Sequence, residues 1–230
     1  MRLIALATLT TLLSAPLVAG DTPRAKVQLF GEQTSFRRSP VLFVIEGGQT
    51  YTTEDRPKDQ TSWGLRLSFG LDEEATWNVD LAVRAKKKSH LTFSGPVSPT
   101  QTADFTQDGL EYGWWGPGIT YALKLGPMVT VNAGFDLRVE RITYFLPAGV
   151  IVPEGYSETS IYDRPWAKAA LTITLPVSAG VKPQVGIEAA AALVRKKVKT
   201  FSGTQYVDPE DMRRGMAPDT AFSFFAGLTF

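Results

Sequence analysis

Apolar and polar side chains alternate with a period of two through most of this chain, which is the signature of strands with one apolar face. In SWGLRLSFGL, Trp63, Leu65, Leu67, Phe69 and Leu71 share one side, with Arg66 and Ser68 on the other. After the short connection DEEA, Trp77, Val79, Leu81, Val83 and Ala85 repeat the pattern against Asn78, Asp80, Ala82, Arg84 and Lys86. These two stretches form a hairpin. A second joins 118–125 to 129–140 through Gly126-Pro127, and a third joins 167–175 to 184–193 through PVSAGVKP. The last ten residues, AFSFFAGLTF, place Phe222, Phe224, Ala226, Leu228 and Phe230 on one face of a closing strand.

Connections within the hairpins are short, whereas those between them, roughly 87–109, 145–163 and 198–218, are each about twenty residues long. One end with short turns and one with long loops is the asymmetry of outer-membrane barrels. The first strand has two candidates, AKVQLFGEQ (25–33) and SPVLFVIEGG (39–48). Taking the second alone gives eight strands, an even number, and leaves 21–38 as an N-terminal tail. A single long, bulged first strand that includes part of that tail also serves. The barrel domain is then 39–230.

The N-terminus narrows the setting. Arg2 precedes the apolar run LIALATLTTLLSAPLVAG, which is too short for a permanent span and has small residues, Val18 and Gly20, where a signal peptidase needs them. Residues 1–20 read as a secretory signal peptide, with the mature chain expected to begin at Asp21. That chain carries 23 basic and 23 acidic side chains, and export excludes a nucleic-acid partner. The absence of cysteine removes disulfides, thiol catalysis and thiolate metal sites. No later segment has the 18 or more consecutive apolar residues of a membrane helix. A membrane location would have to be achieved with strands.

Alternation leaves open which face is outside. In a soluble barrel the apolar face is the core; in a lipid-embedded one it meets acyl chains and the polar face fills the lumen. Eight strands enclose room for side chains or one small ligand. The polar faces carry Arg66, Arg84, Lys124, Arg138 and Lys168 against Asp80, Asp136, Glu140 and Glu188. That near balance suits a lumen plugged by mutual ion pairs, and such charges need partners there, because an unpaired buried charge costs several kcal/mol. Aromatics near strand ends, Trp63, Trp77, Trp115 and Trp166, fit interfacial belts, although Trp166 falls on the polar parity of its strand.

The closing strand carries a family resemblance. Alternating Phe222, Phe224, Ala226 and Leu228 with a terminal aromatic, Phe230, resembles the C-terminal signal by which bacterial outer-membrane barrels engage their assembly machinery. Together with the signal peptide, the layout is similar to the small eight-stranded proteins of the OmpA, OmpX and OmpW type. GPGITYALKLGP has a fainter similarity to the MipA/OmpV group. The resemblance implies an all-β, antiparallel transmembrane barrel in the bacterial outer membrane, with short periplasmic turns and long extracellular loops. It carries over no functional residue.

Candidate chemistry is sparse. The single histidine, His90 in KKKSHLTFSGP, has Ser89, Ser94, Ser98 and Asp104 in its neighbourhood, the residue types of a serine hydrolase or acyltransferase; a loop histidine is the plainer reading. Lys86, Lys87 and Lys88 follow one upward strand and Arg195, Lys196, Lys197 and Lys199 another. Both clusters suit the phosphates of lipopolysaccharide at the outer rim, or serve as solvated strand extensions. Neither a metal-ligand spacing nor a phosphate-binding loop occurs, so no metal and no cofactor is expected. Three functional classes remain: a structural or surface-interaction protein, which is the preferred reading, a narrow pore for small solutes, and a lipid-modifying enzyme built on His90.

Overall fold

The computed structural model describes residues 25–36, 41–45, 49–53, 59–98, 101–146, 156–176, 180–194 and 217–230. The proposed signal peptide and the basic residues Arg195, Lys196, Lys197 and Lys199 lie outside them. The described residues contain no helix. They form ten strands: β1 (Ala25–Phe36), β2 (Val41–Ile45), β3 (Gln49–Thr53), β4 (Gln60–Gly70), β5 (Trp77–Ser98), β6 (Gln101–Lys124), β7 (Val129–Leu146), β8 (Tyr156–Thr174), β9 (Lys182–Ala192) and β10 (Pro218–Thr229).

Eight of these close a barrel. The order β5-β4-β1-β10-β9-β8-β7-β6 returns to its start through the β5–β6 pairing, and every neighbouring pair is antiparallel. Closure satisfies the backbone without an edge, a condition the hydrocarbon of a bilayer imposes on any sheet within it. The seam joins β1 to β10 from Lys26↔Thr229 onward. Below that pair, Phe230 N donates to Ala25 O at 2.8 Å, and Ala25 N donates back to Phe230 O at 3.3 Å.

The expected count of eight holds, but the first strand differs from the preferred reading. Residues 25–36, set aside there as a tail, are the barrel strand between β10 and β4. The preferred stretch 39–48 instead supplies β2, which pairs with β3 as a small hairpin appended to the upper part of β5 at Thr52↔Ser94. The alternation in β1 is masked by inward phenylalanines and outward polar residues: Phe30 and Phe36 are buried while Gln33 and Ser35 face out.

A second difference concerns 87–109, expected as a loop. There β5 and β6 continue as paired strands of 22 and 24 residues. Each is roughly twice the 9–11 residues that cross a bilayer, so the upper half of the hairpin stands beyond it. Shifts of register between Arg84 and Lys87 and between Ser89 and His90 break the alternation, which hid these strands. Residues 156–163, also expected in a loop, already belong to β8.

The sidedness is that of a membrane barrel. Leu65, Val79, Leu81, Val83, Ile119, Leu137, Leu171, Val185, Ile187 and Phe224 are exposed on the outside, while Arg66, Asp80, Arg84, Asp136, Arg138, Lys168 and Glu188 are buried inside. Trp63 and Trp115 lie outside on the upper part of the wall, and Trp77, edge-on to Tyr121 at 5.1 Å, lies near the short turns. These positions match the two girdles of a transmembrane barrel. Trp166 does not belong to them: it is 0% exposed and points into the lumen, as its parity requires. Two inward glycines admit neighbouring rings. A β-carbon on Gly64 would lie 2.2 Å from Phe30 Cζ, and one on Gly186 would lie 2.4 Å from Phe225 Cζ.

Candidate functional site

The lumen holds two connected charge clusters. In the lower one, both nitrogens of the Arg66 fork donate to Glu188, each at 2.7 Å, the bidentate geometry that makes Arg–carboxylate pairs strong. Beside it, Lys168 Nζ bridges Asp80 Oδ2 and Asp136 Oδ1 at 2.6 Å each, and the Thr120 hydroxyl donates to Asp80. Asp136 reaches upward to Arg138 at 3.9 Å.

The upper cluster centres on Glu32 of β1. Trp114 Nε1 donates to its Oε1 at 3.0 Å, as does the Thr34 hydroxyl at 3.1 Å. Arg84 Nε lies 3.0 Å from the same oxygen and Arg138 Nη1 lies 3.2 Å from Oε2. The Arg138 guanidinium sits between two indoles, 3.9 Å from the Trp114 ring centre and 4.2 Å from that of Trp166. Above them Arg164 holds Glu140 through Nε and Nη2, and the Tyr112 hydroxyl donates to Glu140 at 2.6 Å. Leu91, Leu110, Ile142 and Phe36, all buried, continue the filling upward. Aromatic, aliphatic and paired charged groups thus pack against one another in the upper lumen.

Of the nine residues expected in the lumen network, Arg66, Asp80, Arg84, Asp136, Arg138, Glu140, Lys168 and Glu188 all meet there. Lys124 does not. It lies exposed at the end of β6 and donates to the Glu74 carbonyl in the short turn at 2.9 Å, because the inward face runs out onto the rim at that position. The missed members are Glu32, hidden in the stretch taken as a tail, and Arg164, which falls before Pro165 between the expected loop 145–163 and the third hairpin. Both lie at the inward parity of their strands, and that parity was the available signal.

Of the candidate enzyme residues, His90 and its neighbour Ser89 lie on different faces of β5. His90 is exposed on the outer face while Ser89 is buried on the other. Ser94 is four residues farther along, about 13 Å at strand spacing. The side chains of Ser98 and Asp104 are outside the described set. Among the described residues no group of three or more potential ligands could hold a metal.

Lys86, Lys87 and Lys88 are all exposed where β5 leaves the apolar band and its register against β6 shifts. Lys86 pairs with Glu111 at 3.5 Å and Lys88 lies 5.0 Å from the Phe145 ring centre. Of the residues expected to form the assembly signal, Phe222, Phe224 and Leu228 are exposed on the outside of β10, and Phe230 is half-buried beside Ala25.

A closed, even-stranded antiparallel barrel with an apolar exterior, aromatic girdles and a charged interior is a small outer-membrane β-barrel, and its place is the bacterial outer membrane. No family model and no curated protein matches the chain. Solved structures similar to it include Ail, the attachment invasion locus protein of Yersinia pestis, at 7% identity over 90% of this chain and 97% of that one, with a TM-score of 0.44. Neisserial surface protein A is 11% identical over 89% of this chain and 95% of its own, at 0.43. The outer membrane protein OprG from Pseudomonas aeruginosa is 8% identical over 90% and 92%, at 0.41. The class rests on the barrel's own closure and sidedness.

Proposed function

We propose that this protein serves a structural or surface-interaction role in the outer membrane rather than conduction. The observation that carries the reading is the filled upper lumen, where Arg138 is stacked between Trp114 and Trp166 and tied to Glu32. What projects from the membrane is the overhanging β5–β6 hairpin with the β2–β3 hairpin beside it, and this becomes the working surface. The exposed Lys86, Lys87 and Lys88 at its base suit the phosphates of lipopolysaccharide, the lipid partner in this reading. The outward aromatic face of β10 is the segment offered to the assembly machinery.

The test is electrical. The protein refolded into planar bilayers should give no unitary conductance. In asymmetric bilayers with a lipopolysaccharide outer leaflet, Lys86→Gln with Lys88→Gln should loosen its association with that lipid. Steady channels from the unaltered protein would favour the pore reading and overturn this one.

A further inference from the structure

Below the plug the lumen opens toward the short turns as a cavity of about 290 Å³. Its wall is ordered in rows. At the mouth, Lys26 of β1 and Lys182 of β9 both pair with Thr229 of β10, so the three stand side by side, and all three line the cavity. One step deeper, Gln28 and Gln184 flank Gly227 in the same way. With strands 4.7–4.9 Å apart, the two lysine backbones are about 10 Å from each other with the threonine midway.

Three observations point to a ligand here. Among the described residues no carboxylate lies within ion-pair distance of Lys26 or Lys182, in contrast to the paired cations deeper in the lumen. Lys124, across the mouth, donates to a backbone carbonyl; Glu74 of the short turn also lines the cavity, and deeper in it Asp80 and Glu188 are held by Lys168 and Arg66. Thr229 Oγ1 and Gln184 Nε2 are buried without a hydrogen-bond partner, and Asn78 Oδ1 on the opposite wall is too; their residues are 4%, 3% and 2% exposed. Orphaned polar atoms at such depth call for a partner. Two lysines with Thr229 between them and Gln184 one step deeper line one opening, the donor types of an oxyanion seat.

We propose that this vestibule is an oxyanion-binding site, open on the periplasmic side, that takes the carboxylate or phosphate of a small solute or a lipid headgroup between Lys26 and Lys182. The test uses the barrel refolded in an uncharged maltoside detergent, titrated with succinate and with inorganic phosphate and followed by amide NMR. Saturable shifts confined to the neighbourhood of residues 26, 182, 184 and 229 are expected. Lys26→Gln with Lys182→Gln should weaken binding at least about tenfold, while Arg141→Gln, at an exposed outward position of β7, should leave it unchanged. Absence of saturable shifts there in the unaltered protein overturns the proposal, whatever the folding of the variants; so does equal affinity in a folded Lys26→Gln, Lys182→Gln barrel. Repeating the succinate titration in nanodiscs with and without phosphatidylglycerol separates the sources. Displacement by that lipid assigns the seat to headgroup phosphate, and persistence assigns it to a free solute; either result retains the oxyanion site.

Discussion

Glu32 Oε2 lies 3.2 Å from Arg138 Nη1, joining β1 to β7 through the middle of the barrel. Glu32 is 1% exposed and also faces Arg84 and Trp114, so removing it strands two guanidinium groups. Glu32→Ala is expected to cost about 3–5 kcal/mol, and Glu32→Gln less, because the amide still accepts from Trp114. Urea unfolding in lipid vesicles measures both; a neutral Glu32→Ala would show that these charges are paired elsewhere.

The stack of Arg138 with Trp114 and Trp166 rises from three neighbouring strands and meets Glu32 of β1. Arg138→Ala combined with Trp166→Ala should give measurable conductance in planar bilayers, where the unaltered protein is expected to give none. If the folded double variant stays silent, the seal lies higher, among Leu91, Leu110 and Ile142.

Leu137 faces outward at mid-strand and Ser68 faces the vestibule. Leu137→Arg is expected to lower stability by about 2–4 kcal/mol, the cost of a lipid-facing arginine near the midplane, and Leu67→Arg should behave similarly. Ser68→Arg, which enters a polar cavity, should cost less. Equal folding yields into lipid vesicles would reverse the face assignment.

Deleting Phe230 removes the two backbone hydrogen bonds that end the seam at Ala25 and the terminal aromatic. Reduced amounts of heat-modifiable protein in the outer membrane are expected. Wild-type amounts would show that the rest of β10 suffices.

Gly64 gives way to the Phe30 ring, which stacks on Trp114 at 6.0 Å between centres. Gly64→Val should destabilise by about 1–3 kcal/mol through overpacking, with a shifted tryptophan emission as the ring is displaced. An unchanged spectrum would mean that the ring and the new side chain share the space.

Most of the wall was legible because its two solvents differ so sharply: strands with lipid on one side and paired charge on the other alternate cleanly, as at 63–71, 77–85 and 129–140. Legibility failed where that contrast relaxes. In β1 the lumen receives Phe30 and Phe36, and the outer face carries Gly31, Gln33 and Ser35, so VLFVI looked like the better strand although it lies in an appended hairpin. Beyond Arg84 the register of β5 against β6 shifts and the bulges re-aim the side chains, so the period of two no longer marks the backbone. The partners within the network could not be read at all, because Glu32, Arg84 and Arg138 are brought together by curvature across the barrel rather than by spacing along the chain.

The β1–β10 seam has a consequence for how the fold can be reached. Its partners, Lys26 and Thr229 among them, lie at opposite ends of the described chain, so the contact has the largest sequence separation in the structure and the greatest loop-closure entropy to overcome. Until it forms, the inner face is one side of an open, curling sheet on which Arg66 of β4 has not yet reached Glu188 of β9 across the seam. Such a sheet is incompatible with hydrocarbon on both its charged face and its unpaired edges. Zipping the seam therefore neutralises the interior and completes the backbone in a single event. Intermediates short of that event belong at the membrane surface, and insertion and closure are expected to be cooperative.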